Sequence, residues 1–286
     1  KTYRAIIKPS AKVITISMLD VYHKSNYQDF QRYMPADLAI GGDVEASLPD
    51  LIEAVKRAAT SERKAAFAER AKTVAKIHRD MKARDKEGAA LGWDASPVST
   101  ARLAAEMWNV IKNEKWALPV SDRIPWARRL WPVTEHYQML GGTGAAGIGG
   151  GAPIAVGAAL ANKDKGIMTV HFQSDGDLMY APGVLWTAAH HKIPILMLMH
   201  NNRCYHQEIM HVQRMAAIHD RPQDTARIGT EITDPNIDFA KLAQGMGDSA
   251  EGPINDPEKL GPALKRALAE VKNGRPALVD VICQGR

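Results

Sequence analysis

Asp175 and Asn202 are the residues whose type and placing first suggest chemistry. Each stands just past an apolar run of strand length, residues 167–172 before Asp175 and residues 193–199 before Asn202. The 27 positions between them fit one helical crossover between parallel strands. If those strands are neighbours, both side chains reach the carboxyl edge of one sheet, where open α/β sheets bind their ligands. A carboxylate and an amide oxygen are hard donors, suited to Mg²⁺ or Ca²⁺ rather than Zn²⁺. Mg²⁺ usually takes one or two carboxylates and fills its shell with water and substrate phosphates. Gly176 lets the backbone come close to a phosphate, and the helix behind it offers free N–H groups. The pair reads as a metal–diphosphate site. On these grounds alone an ordinary polar turn after each of two strands stays open.

The elements that must position this pair alternate along residues 97–286. A helix is expected over 101–113 and a glycine-rich segment over 141–151, followed by an alanine-rich helix over 155–160. Then come a strand over 167–172, a turn at 174–177, a helix over 184–190 and a strand over 193–199. Asp256 followed by Pro257 reads as the N-cap and first residue of a further helix, and residues 277–282 as the last strand. Apolar strands alternating with helices predict an α/β fold, a doubly wound parallel sheet with helices on both faces.

Upstream, residues 13–17 and 38–40 read as strands. A helix with Leu48, Leu51, Ile52 and Val55 on one face follows. Two strands and a helix are too little to bury a core, so residues 1–60 read as the C-terminal part of a larger, central α/β domain. Residues 61–96 read as a helical linker, with Phe67, Ala71, Val74, Ile77 and Met81 at near-helical spacing and Gly88 ending the helix.

Composition narrows the classes. With 45% hydrophobic and 24% charged residues, the chain is neither mainly disordered nor of low complexity. No apolar run reaches the 18 residues of a membrane span. The net charge of +5 invites a nucleic-acid reading. Yet residues 55–87 hold 11 Lys/Arg against 5 Asp/Glu, so the whole excess lies in that one segment, without interleaved aromatics. A solvated helix accounts for it, and neither nucleic acid nor membrane is expected as a partner. Two cysteines are too few for a disulfide framework, which favours a reducing, cytoplasmic setting. The first residue is Lys1, and residues 1–10 lack the apolar core of a signal peptide, so the sequence reads as a piece of something longer.

Ser174-Asp175-Gly176-Asp177, 23 further residues and then Asn201-Asn202 together resemble the thiamine diphosphate motif, Gly-Asp-Gly to Asn-Asn. The glycine-rich stretch upstream is similar to that of the same enzymes, and the order of parts resembles the acetolactate synthase, benzoylformate decarboxylase and 2-hydroxyacyl-CoA lyase group. There, a pyrimidine-binding domain comes first, a central domain second and the diphosphate-binding domain last. The resemblance covers residues 11–286, with 97–286 as a nearly whole diphosphate-binding domain. It implies Asp175 and Asn202 as side-chain ligands of Mg²⁺ and the Cys204 carbonyl as a third. It implies Gly176 and Asp177 as backbone contacts of the diphosphate, and places Tyr205 in the Asn-Asn-x-x-Tyr form of the motif. Gly144, Ala145, Ala146 and Gly147 would face the aminopyrimidine. Ala146, or Ile148 if the register slips, would force the cofactor into its bent shape. Ser174 departs from the first glycine of the motif, which matters little because the ligand is the aspartate.

The implied activity is a lyase or transferase reaction: forming or cleaving a C–C bond next to a carbonyl of a 2-oxo acid or 2-hydroxyacyl compound, with thiamine diphosphate and Mg²⁺. In the family a glutamate on the pyrimidine-binding domain activates the cofactor. No residue here takes that role, so the chain alone is expected to be inactive, with the missing domain supplied upstream or by another chain. Each site in the family is shared between subunits, which implies a homodimer or homotetramer. His206, Gln207 and Glu208 follow the metal loop and are the candidates for a substrate acid or base, unless they simply begin a surface helix. No FAD motif is visible; FAD or a CoA nucleotide on the central domain stays open.

Other features read more plainly. His190, His191, His200, His206 and His211 cluster in sequence, but only His206 and His211 could share a short helix, and five apart is not metal-pair spacing. His200 reads as a packed strand-end residue, and Trp108, Trp116, Trp126 and Trp131 as packing residues. Two alternatives compete with the single-chain enzyme. One is the cofactor-binding subunit of a two-chain 2-oxo acid decarboxylase or oxidoreductase; the ferredoxin-linked form usually brings cluster cysteines, which two distant cysteines do not supply. The other is an inactive scaffold with the cofactor fold, against which the presence of both Asp175 and Asn202 argues.

Overall fold

The computed structural model describes residues 8–18, 36–120, 124–141 and 147–285. The chain divides into two units, residues 1–77 and 78–286. In the first, β1 (Ile14–Ser17) and β2 (Leu38–Gly41) pair in parallel, Ile14 opposite Leu38. Helix α1 (Val44–Ala58) follows, capped by Asp43, whose carboxylate accepts from the Ala46 N–H at 2.8 Å. Its apolar residues Leu48, Leu51, Ile52 and Val55 do share the helix, but all are exposed, and no residue of α1 is buried.

Helix α2 (Ser61–Ala90) crosses the division between the units, and Ala89 is its one buried residue. The expectation that Gly88 ends this helix is corrected. Gly88 lies inside it, where a Cβ would come within 3.3 Å of Trp126 Cη2. The chain leaves the helix instead through the turn at Gly92, whose φ of +65° suits glycine.

The second unit continues with α3 (Thr100–Ile111), β3 (Trp116–Ala117), α4 (Pro125–Leu130), α5 (Gly151–Asn162) and β4 (Met168–Ser174). After these come α6 (Asp175–Leu178), α7 (Gly183–His190), β5 (Ile195–Asn201) and α8 (His206–Ile218). The chain closes with α9 (Phe239–Met246), β6 (Ser249–Ile254), α10 (Pro257–Lys272) and β7 (Ala277–Ile282). Five parallel strands form one sheet in the order β3-β4-β5-β7-β6. This is the doubly wound α/β sheet expected.

Its two-sided burial explains the unbroken apolar run of β5. Leu196 and Leu198 enter the core beneath α3, α4 and α10, while Ile195, Met197 and Met199 enter the core beneath α5, α7 and α9. The first core holds the tryptophans read as packing residues. Trp131 lies 5.2 Å from Trp116, 5.9 Å from Trp108 and 5.7 Å from Phe172, centroid to centroid. Trp131 also donates its indole N–H to the Ala104 carbonyl at 2.8 Å. Asp256 caps α10 by accepting from the Glu258 N–H at 3.0 Å, with Pro257 as the first helical residue. Of residues 174–177, expected as a turn, Ser174 instead ends β4 and residues 175–177 begin the one-turn helix α6. Among the described residues no helix is long and apolar enough to cross a membrane.

Candidate cofactor site

The site grows from the register of two strands. Strands β4 and β5 are parallel neighbours, with Ser174 opposite His200. Asp175 and Asn202 therefore leave the same edge of the sheet, as the spacing anticipates. Both line one cavity of about 260 Å³. Ile148, Gly176 and Asp177 contribute one wall, and Cys204, Tyr205 and His206 another.

Asp175 is almost wholly buried, at 1% exposure. Its Oδ1 accepts the Gly176 N–H at 2.8 Å, while Oδ2 is buried with no hydrogen-bond partner among the described residues. Burial raises its pKa to about 6, against the pull of the Gly176, Arg203 and Cys204 N–H groups. None of those groups bonds to Oδ2. A buried carboxylate oxygen left open beside a cavity is what a cation site offers.

The loop after β5 is held tightly. Asn202 Oδ1 accepts the Cys204 N–H at 3.2 Å, and Arg203 adopts φ +57°, a left-handed conformation rare outside glycine. Across from it, the Tyr205 N–H donates to the Thr230 carbonyl and the Ile232 N–H to the Arg203 carbonyl, both at 2.8 Å. Burial, and then the Asp175 carboxylate, hold the Cys204 thiol above its ordinary pKa, so the side chain stays a neutral thiol.

Gly176 serves a ring as well as a backbone approach. A Cβ there would fall 2.4 Å from Tyr205 Cε1. Its N–H is engaged by Asp175, and the Tyr205 hydroxyl lies 3.5 Å from its carbonyl. Asp177 lines the cavity but spends its carboxylate on neighbours. Its Oδ1 accepts the Gly149 N–H at 2.8 Å and its Oδ2 accepts from Gln173 Nε2 at 2.9 Å. Gln173 in turn meets His171 Nε2 at 2.7 Å through its Oε1.

His206, Gln207 and Glu208 line the cavity and also begin α8. His200 is buried, at 2% exposure, with Nε2 2.9 Å from the Gln284 carbonyl, while its ring borders the cavity. Gly285 approaches His206 so closely that a Cβ would sit 2.6 Å from its Cε1. Of the glycine-rich candidates, Gly144, Ala145 and Ala146 lie outside the described residues. Gly147 is described, and Ile148 reaches the cavity. Among the described residues no group of three His, Cys, Asp or Glu side chains could hold a metal, which leaves the histidine cluster without a site of its own.

Gln173, His171 and the C-terminal Gln284–Gly285 contacts were not anticipated. For the first two the signal was present: polar residues at alternate positions of a strand otherwise apolar. For the tail there was none.

Comparison with known proteins falls on this same region. Residues 123–281 match the family model described as "Thiamine pyrophosphate enzyme, C-terminal TPP binding domain". A Mycobacterium tuberculosis protein described as an acetolactate synthase large subunit is 36% identical over 159 residues, 56% of this chain and 29% of its own. A benzoylformate decarboxylase of Pseudomonas aeruginosa is 31% identical over 140 residues, 49% of this chain and 24% of its own. The matches thus span less than a third of these relatives. The solved structure of a thiamine diphosphate-dependent 4-hydroxybenzoylformate decarboxylase from Rhodococcus jostii overlays 67% of this chain and 34% of its own. Its TM-score is 0.55 at 24% identity, a likeness of fold.

Proposed function

The chain belongs to the thiamine pyrophosphate enzymes, whose C-terminal cofactor-binding domain it carries. From that premise we propose that it is the C-terminal part of a Mg²⁺-dependent lyase or transferase that forms or cleaves a C–C bond next to a carbonyl of a 2-oxo acid or 2-hydroxyacyl compound. The observation that carries the metal is the buried, unpartnered Oδ2 of Asp175 at the cavity that Asn202 also lines. Asp175 and Asn202 would hold Mg²⁺ by side chain and Cys204 by its carbonyl, an all-oxygen set that fits this ion. Residues 176 and 177 would border the diphosphate, and residues 144–148 the aminopyrimidine. Of the two candidates for the bent cofactor shape, Ile148 is favoured, because it reaches the cavity and has the larger side chain.

Bound there, thiamine diphosphate supplies a nucleophilic carbon and an electron sink for chemistry at the carbonyl. The residues of this chain do the rest of what the cavity allows. The β5–α8 loop would fix the metal donors, Tyr205 and Ile148 narrow the cavity against water, His206 faces it as the group able to hold or pass a proton, and Gln207 as one that can orient a substrate by hydrogen bonds. The names of the relatives, an acetolactate synthase and a benzoylformate decarboxylase, favour a 2-oxo acid. The exposed apolar face of α1, beside a parallel sheet of two strands, suits burial against the remainder of a central domain. A pyrimidine-binding domain, from the same polypeptide or another, would bring the activating glutamate, in a homodimer or homotetramer. Two free, buried cysteines suit a reducing, cytoplasmic setting.

The test is calorimetric titration of thiamine diphosphate with Mg²⁺ and with EDTA, using wild type and Asp175→Ala. Binding that needs the cation and vanishes in Asp175→Ala supports the reading. Equal binding in EDTA, or by Asp175→Ala, overturns the metal assignment. Release of CO₂ from benzoylformate or pyruvate by the protein with its pyrimidine-binding domain then tests the reaction.

A further inference from the structure

Strand β4 carries a polar stripe where its neighbour β5 is apolar on both faces. Val170 and Phe172 join the tryptophan core, while Thr169, His171 and Gln173 point to the other side and are buried, none above 1% exposure. Buried polar groups are costly unless they are bonded, so such a stripe calls for a use. It leads in one direction. His171 Nε2 meets Gln173 Oε1 at 2.7 Å, Gln173 Nε2 donates to Asp177 Oδ2 at 2.9 Å and to the Ser174 carbonyl at 3.0 Å, and Asp177 Oδ1 accepts the Gly149 N–H at 2.8 Å. Gly149 is confined from its other side as well. Its φ is +88°, and a Cβ there would fall 2.6 Å from the Cβ of Tyr180.

A carboxylate one residue from Gly176 is electrostatically wrong for a site that must accept a diphosphate. Its two oxygens are instead committed to the loop and to Gln173. We propose that Asp177 is a positioning residue. Oriented by Gln173 and His171, it ties the end of the glycine-rich loop to the turn after β4, and so sets Ile148 against the Asp175–Asn202 edge of the cavity. The inference rests on the cofactor reading above and deepens it. The sheet edge would receive the diphosphate, and the tether would set the part of the site that meets the organic half of the cofactor.

Two expectations separate this role from an incidental one. If Asp177 were only a misplaced charge, its removal would tighten the binding of every anion. If it positions the loop, its removal weakens thiamine diphosphate while leaving inorganic pyrophosphate with Mg²⁺ unchanged or tighter. The experiment uses the protein together with its pyrimidine-binding domain, as wild type, Asp177→Ala, Asp177→Asn and Gln173→Met. It measures both affinities by calorimetry, and hydrogen exchange at the Gly149 amide without cofactor. In Asp177→Ala, thiamine diphosphate should bind about tenfold more weakly, the scale of one lost charge-assisted hydrogen bond, and Gly149 should exchange at least about tenfold faster. Asp177→Asn should recover part of both, since its amide oxygen still accepts from Gly149 and a flipped Gln173 can accept from its NH₂. Gln173→Met keeps the Gly149 bond and loses the Gln173 bonds to Asp177, His171 and the Ser174 carbonyl, so it should fall between, and it carries the test if Asp177→Ala does not fold. Unchanged or tighter thiamine diphosphate binding in Asp177→Ala, or unchanged Gly149 exchange, overturns the proposal. Failure of wild type to bind thiamine diphosphate overturns the cofactor reading instead, and the exchange measurement still decides the tether.

Discussion

Tyr205 occupies the space that a side chain at position 176 would need, 2.4 Å from where the Cβ would lie. Replacing Gly176 by alanine forces that ring or the backbone to move, and overpacking of this kind costs about 1–3 kcal/mol. Removing the ring should remove most of the cost. Urea unfolding of Gly176→Ala, Tyr205→Ala and the double variant gives the coupling directly. A Gly176→Ala penalty that is the same with and without Tyr205 would show that the close approach is not its cause. Gly285 presents a milder case, because the atom it crowds belongs to the His206 ring, the end of a movable side chain. Gly285→Ala should therefore cost less than about 1 kcal/mol of stability. It should nonetheless turn the ring, which a changed His206 imidazole resonance would reveal. The glycine before Asp177 was read as room for a phosphate, and the ring that also uses that room is 29 residues away in sequence. Residue type announces a close approach without naming the partner.

Elements whose signals are local were the legible ones. Residues 277–282 form β7 with the bounds expected, because five apolar residues in a run of six, broken only by Asp280, sit between turn signals. Asp256 and Pro257 start α10 because capping chemistry is complete within three residues. Asp256→Ala should cost about 1 kcal/mol. Elements defined by their neighbours were not legible. Strand β6 holds Glu251, Gly252 and Pro253 and stands at the sheet edge, where a strand needs no apolar alternation. Gly88 looked like a helix stop but answers to Trp126, which lies in a different helix. The tryptophan core gives the element scale its sharper test. Trp131→Phe keeps an aromatic ring but loses the indole bond to the Ala104 carbonyl and leaves a void where the larger ring was, a loss of about 1–3 kcal/mol. The midpoint of urea unfolding should fall with its slope unchanged. An unchanged midpoint would mean that the carbonyl finds another donor.

Over the whole molecule, the meeting of Asp175 and Asn202 at one sheet edge could be read in advance because one crossover length makes β4 and β5 neighbours, and strand ends then share an edge. The His171–Gln173–Asp177 chain could not, because it depends on which face of β4 meets the glycine-rich loop. Nor could the buried acids that govern the response of the fold to pH. Asp248, at 6% exposure, has an Oδ1 without a hydrogen-bond partner among the described residues, and burial raises its pKa to about 7. In the unfolded chain an aspartate titrates near ~3.9. Between those values the folded protein holds the proton and the unfolded chain does not, so stability falls as pH rises from about 4 to about 7 and levels off above. Asp280, raised to about 6 by burial, adds a slope of the same sign over a narrower range. Asp248→Asn removes the ionisable group and should flatten the profile, leaving the variant more stable than wild type by a few kcal/mol, order of magnitude, at pH 8. Near pH 4, where Asp248 is protonated in the fold, the two should nearly coincide. Urea unfolding of both proteins from pH 4.5 to 8.5 tests this, and the difference between the curves isolates Asp248 from the other buried acids. Parallel curves, or a wild type that gains stability relative to Asp248→Asn as pH rises, would mean that the carboxylate finds a compensating partner in the folded protein and ionises there at or below its ordinary pKa.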